Sequence, residues 1–168
     1  MDTGLILFRV VIGSLMAAHG AQKLFGWFGG YGLAGTAGFF DALGFRPGRF
    51  FAATAAGAEV VSGVLIALGL FGAVGPALML SVMIVAAISV HWEHGLFATS
   101  NGIELPLIYG VAAAALALTG PGAYSLDALL GLQALSAPAF AWSALALGVT
   151  GAAGNLALRR SAAHAVAA

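Results

Sequence analysis

Gly4-Leu5-Ile6-Leu7-Phe8-Arg9-Val10-Val11-Ile12-Gly13-Ser14-Leu15-Met16-Ala17-Ala18-His19-Gly20-Ala21-Gln22-Lys23 is the stretch on which the fold turns. Residues 4–22 supply about the 20 apolar positions a helix needs to cross a bilayer. One charge, Arg9, lies inside the run, and His19, Gln22 and Lys23 gather at its end. A charge in hydrocarbon is costly, so each polar residue placed this way calls for a partner or a purpose. A cleaved signal peptide would carry its positive charge ahead of the apolar run, whereas here Asp2 precedes it and Arg9 lies within. The run therefore reads as a retained first membrane span.

The same pattern recurs along the chain. Further spans read from about Phe50 to Leu70, from Val74 to Trp92, from Glu104 to Thr119 and from Pro138 to Leu158. Pro76 and Pro106 sit in first turns, where a missing N–H is tolerated, and Gly120-Pro121-Gly122 stops the fourth span. Of the 168 residues, 61% are hydrophobic and 7% charged, against roughly a quarter charged in soluble domains. The expectation is an all-α membrane protein, because these runs are too long for the alternating strands of a barrel. Residues 1–130 would form a four-helix transmembrane bundle. Residues 131–168 would add a connecting segment, a fifth transmembrane helix and a short basic tail.

Composition also excludes some chemistry. With no cysteine there is no disulfide, thiolate nucleophile or thiolate metal site, so a redox role needs a bound cofactor or a partner. The net charge is zero, and no basic run offers a nucleic-acid site. The bilayer is the first expected partner. Gly- and Ala-rich faces on the second and fifth spans also suit helix-mediated oligomer contacts.

Five spans place Lys23, Arg46, Arg49, Arg159 and Arg160 on one face. The positive-inside rule then puts the N-terminus outside and the C-terminus in the cytoplasm. The first connection is too apolar for a solvated loop, since Phe25, Trp27, Phe28 and Tyr31 alternate with Gly26, Gly29, Gly30, Gly32 and Gly35. Thr36 is expected to cap a short helix carrying Phe39, Phe40 and Leu43, with Gly44 as its stop. Such a segment would fold over the mouth of the bundle at headgroup level; the plainer reading is an aromatic belt.

Arg9 and Glu59 count to similar depth on the first two spans, so a buried structural ion pair is expected between them. The alternative has Arg9 snorkel to the opposite surface. Ala52, Ala55, Ala56, Ser62 and Gly63 surround Glu59 at helical spacing, which should turn it inward against a closely packed neighbour. His19, Gln22 and Lys23 share one helix face at i, i+3 and i+4. On the third span His91 and His94 share a face while Glu93 turns away, and Glu104 begins the next helix. Singly, Lys23 reads as an interfacial anchor and Glu104 as an electrostatic helix cap. Together, His19, Gln22, Lys23, His91, His94 and Glu104 make a polar vestibule. It could bind the carbonyls of a quinone or ligate a haem through two imidazoles. No spacing here marks a dedicated metal site.

The run from His19 to Gly26 is followed by Gly32-x-x-Gly35-Thr36, Phe39-Phe40, Leu43-Gly44, Ala56-Gly57-x-Glu59, Gly63 and Leu68-Gly69-Leu70. With His91, Gly95 to Phe97, Asn101-Gly102-x-Glu104 and Gly120-Pro121-Gly122-x-x-Ser125-Leu126-Asp127, the chain resembles the DoxX family of small bacterial membrane proteins over residues 5 to about 130. The resemblance implies a four-helix bundle in the bacterial inner membrane and association with oxidoreductase complexes. Family members are linked to a thiosulfate:quinone oxidoreductase and to a complex joining a superoxide dismutase with a sulfurtransferase. The expected function is an accessory subunit that anchors or couples a membrane redox complex and contacts quinone. His19, Lys23 and His91 would polarise the bound group or relay protons, and Glu104 would orient an imidazole. The fifth span would dock another subunit or form a tail. A haem or metal protein is the alternative, and a small-solute or proton transporter ranks below it because five spans give no inverted repeat.

Overall fold

Segments in which nearly every side chain is Ala, Val, Ile or Leu have no polar face to offer water. In the computed structural model, which describes residues 2–160, each becomes a helix, and no strand occurs among the described residues. In chain order the helices are α1 (Asp2–Phe25), α2 (Gly32–Ala42), α3 (Gly48–Leu68), α4 (Val74–Ala86), α5 (Glu104–Thr119), α6 (Leu126–Leu130) and α7 (Pro138–Ala157). Past Ala86, α4 continues as a π turn over Ala87–His91 and a 3-10 turn over Trp92–His94. Asp2–Phe25, Gly48–Leu68, Val74–His94 and Pro138–Ala157 are each long and apolar enough to cross a membrane. The fourth expected span, α5, has 16 residues, or roughly 24 Å of helix. The chain is a multi-pass, all-α membrane bundle in contact with lipid. The part of the expected basic tail beyond Arg160 lies outside the described residues.

Two helix ends differ from the sequence reading. Gly69 adopts φ 63° and stops α3 one residue before Leu70, whose N–H returns to the Leu65 carbonyl at 2.9 Å; this is a glycine-dependent helix end. At the other end, Asp41 receives the Gly48 N–H at 2.8 Å, so a carboxylate from α2 caps α3. Thr36 caps nothing. It lies within α2, where its hydroxyl donates to the Gly32 carbonyl at 2.8 Å and the Lys23 carbonyl at 3.3 Å. The physical reason is that α2 begins at Gly32 and packs on the last turn of α1, whose free carbonyls need donors.

Helix α1 makes its most extensive contact with α3. The ring then closes through α3 with α4, α4 with α5, and α5 with α1, while α7 packs outside it on α4 and α5. Met16, Ile66, Met79, Tyr109 and Leu116 form the core of the ring; Ala77, Ala117, Ala141, Ala144 and Leu145 form a second core beneath α7. Gly13 and Gly20 let α1 and α3 approach closely, since a Cβ on Gly20 would lie 2.6 Å from the Ala56 carbonyl oxygen. Successive spans reverse direction, so Lys23, α2, residues 91–104 and the end of α7 share one face of the bundle. At that face Arg159 Nε donates to the Leu43 carbonyl at 2.7 Å and Arg160 N–H to the Gly44 carbonyl at 2.9 Å. The end of α7 is thereby fastened to the link between α2 and α3.

Candidate functional site

Glu59 is 1% exposed and points inward as expected, but its partner is Lys23, not Arg9. Register explains the difference. Gly63 meets Gly13 and Ala17 across the α1–α3 contact, and Ala56 meets Gly20. Glu59 thus lies level with the last turns of α1, and Arg9 is more than two helical turns away. Lys23 reaches back along its stem to make the pair, with its own side chain one-third exposed. The Glu59 Oε2 atom is buried without a hydrogen-bond partner.

Arg9 belongs to the opposite end of the bundle. It is 2% exposed and donates to the Tyr124 carbonyl at 2.5 Å, with its Nη1 lying against Gly69. Its Nε and Nη1 have no hydrogen-bond partner, and no carboxylate among the described residues pairs with it; at the same end of the bundle Asp127, itself 1% exposed, spends its two oxygens on the Phe71 and Gly72 N–H groups at 2.8 and 2.6 Å. The stem thus carries the guanidinium towards the opposite face, as the alternative reading had it, but the connections there cover it instead of leaving it in solvent. The sequence reading missed Asp127 as the buried carboxylate of this end of the bundle. The signal was present in Ser125-Leu126-Asp127, where Ser125 caps α6 by accepting the Ala128 N–H at 3.1 Å.

The six vestibule residues divide among three surroundings. His19 is exposed on α1 and meets the Tyr109 ring edge to face, with centroids 6.0 Å apart. His94 is exposed in the 3-10 turn. Glu104 accepts the Ala98 N–H at 2.7 Å, which braces the connection into α5; His91 is oriented by the Asn101 carbonyl at 2.7 Å and not by Glu104. The α-helical spacing that would give His91 and His94 a common face ends at Ala86, where the π turn begins. Among the described residues, no group of three or more His, Asp or Glu side chains comes together as a metal site.

Gln22, Lys23 and His91 do converge. They line one end of a partly open groove of about 1030 Å³ between α2 and α3 on one side and α4 and α7 on the other. Its α4 wall runs from Val74 to His91, roughly 25 Å at helical rise. Apolar side chains such as Leu78, Val82, Val85, Phe39 and Leu147 make up most of the lining, with Thr36, Ser89 and Asn155 at the Lys23 end. Gln22 donates to the Phe28 carbonyl at 3.2 Å, which ties the aromatic connection to this rim. Phe25, Trp27, Phe28 and Tyr31 are themselves exposed, as a headgroup-level belt would be.

No curated protein and no solved structure gives a significant match to the chain. A family model, DoxX, matches residues 4–92, a span that runs from α1 through α2, α3 and α4 to the end of the π turn. It takes in the Lys23–Glu59 pair and three walls of the groove, and stops short of the segment to residue 130 that the sequence motifs suggested. Since more than half of the sequence lies within that match, the chain belongs to the DoxX family.

Proposed function

We propose that this chain is an inner-membrane subunit that anchors or couples a redox complex, with its N-terminus outside, and that its groove receives an isoprenoid quinone. One observation carries the reading: the groove is long and mostly apolar along α4, and most of its hydrogen-bonding groups lie towards one end, with Thr54 and Ser81 further along its walls. An isoprenoid tail needs only apolar wall, and a quinone ring needs a few placed polar groups. The volume sits at the upper end of the ~300–1,000 Å³ usual for ligand pockets, which gives room for a ring and part of a tail. Family membership supports the redox setting, and with no cysteine in the chain a redox role needs a bound cofactor, such as the quinone, or a partner.

The test is purification in mild detergent followed by solvent extraction and partner analysis. Quinone near one equivalent and stoichiometric partner subunits are expected from the native chain. Ala58→Trp, which fills the groove from α3, should lose the quinone and keep the partners. A preparation free of both quinone and partners would overturn the proposal.

A further inference from the structure

The corner where the end of α7 meets the link between α2 and α3 gathers three arginines from distant parts of the chain. Arg159 Nε donates to the Leu43 carbonyl at 2.7 Å and the Arg160 N–H to the Gly44 carbonyl at 2.9 Å. Arg46 follows Gly44 by two residues, at most ~7 Å along the backbone. All three are exposed. Like charges brought together repel, so such an arrangement calls for an anion. No carboxylate among the described residues pairs with them. Asp41, the acidic residue of this corner, is turned to the Gly48 N–H at 2.8 Å. Apart from Arg159 Nε, no guanidinium nitrogen of the three makes a hydrogen bond among the described residues. That one bond fixes the plane of the Arg159 guanidinium and leaves its two Nη groups as a fork, the arrangement that grips a phosphate through two parallel bonds.

The surroundings say which phosphate. Trp27, Phe28 and Tyr31 are exposed in the connection leading into α2, as belongs at the headgroup layer. Phe39, one turn before Leu43, and Leu158, next to Arg159, are exposed apolar side chains suited to acyl chains; an ion from solution has no use for them. We infer that this corner binds the headgroup of an acidic phospholipid in the leaflet on the basic face, with the phosphodiester on the Arg159 fork and Arg46 and Arg160 supplying charge. Phosphatidylcholine is a poor ligand, because its own ammonium cancels the phosphate charge that draws acidic lipids to basic side chains. The last residues of α7, which lie beyond the matched residues 4–92, thereby complete a site begun by α2 and α3. The quinone reading is not involved, since no arginine lines the groove.

Native mass spectrometry of the full chain in dodecylmaltoside, titrated with phosphatidylglycerol or phosphatidylcholine, tests this. One phosphatidylglycerol should bind the native chain well ahead of phosphatidylcholine. Arg46→Gln combined with Arg160→Gln should weaken it about 5-fold for each charge removed. Arg159→Lys, which keeps the charge and loses the fork, should weaken it about 10-fold, and phosphatidylcholine should respond to neither change. If Arg159→Lys fails to fold, the double variant decides, because Arg160 holds Gly44 through its backbone alone. Quinone content should stay constant throughout, so failure here and failure of the groove reading are separate results. Equal binding of the two lipids, an unchanged double variant, or Arg159→Lys at native affinity overturns the site. Displacement of the lipid by millimolar inorganic phosphate also overturns it, and makes the corner a site for soluble phosphate.

Discussion

Lys23 and Glu59 show how much one side chain's reach decides. Glu59 is buried and Lys23 one-third exposed, so removing the lysine strands a carboxylate in a low-dielectric interior. Losing one partner of a fully buried pair costs about 3–5 kcal/mol, and screening at the exposed lysine brings the expectation to about 1–3 kcal/mol. Lys23→Met should therefore lower the thermal midpoint in detergent, and adding Glu59→Leu to it should restore most of the loss. A double variant no more stable than Lys23→Met would show that the pair does not govern stability. The inward direction of Glu59 was legible from the small residues around it. Its partner was not, because depth counted from the polar residues at each helix end takes no account of which turns of α1 and α3 face each other. Arg9 was misassigned by the same count, and the group it meets, the Tyr124 carbonyl, lies 115 positions further along the sequence.

At the scale of elements, hydropathy placed the five long helices to within a few residues, since each apolar run must satisfy its own backbone in lipid. It could not show that α4 widens into a π turn, because one changed hydrogen-bonding register leaves no trace in composition. His91 and His94 were paired on an α-helical spacing that ends at Ala86, and only His91 reaches the groove. Helix contacts are more legible where glycine is obligatory. A Cβ on Gly63 would collide with the Gly13 carbonyl and the Ala17 amide and lie 2.9 Å from Ala17 Cα, while one on Gly57 meets nothing within 4 Å. Gly63→Ala should force α1 and α3 apart and cost about 1–3 kcal/mol. Gly57→Ala, on the same helix, should be neutral or stabilise by up to ~1 kcal/mol. Unfolding of both variants in detergent checks this; equal effects would mean that close approach of the two helices is not what Gly63 provides.

Across the whole molecule the charges fall unevenly. Five of the six basic residues, Lys23, Arg46, Arg49, Arg159 and Arg160, occupy one face, and the sixth, Arg9, is buried near Asp127 at the other. Because α7 ends where α3 begins, held by Arg159 on Leu43 and Arg160 on Gly44, the two basic clusters cannot belong to opposite sides. Their charges add, and by the positive-inside rule they support the proposed orientation, in which that face is cytoplasmic. The native chain has no cysteine, so a single introduced thiol reports its side without background. Phe97, 64% exposed, lies in the connection on the basic face, and Leu129, 79% exposed, lies on α6 at the other. A membrane-impermeant maleimide applied to intact spheroplasts should label Leu129→Cys at once and Phe97→Cys only after permeabilisation. The reverse pattern would invert the protein, and would move the polar end of the groove, with Lys23, Ser89 and His91, to the outer side. Labelling of both sites in intact spheroplasts would contradict the odd number of crossings on which the shared face depends.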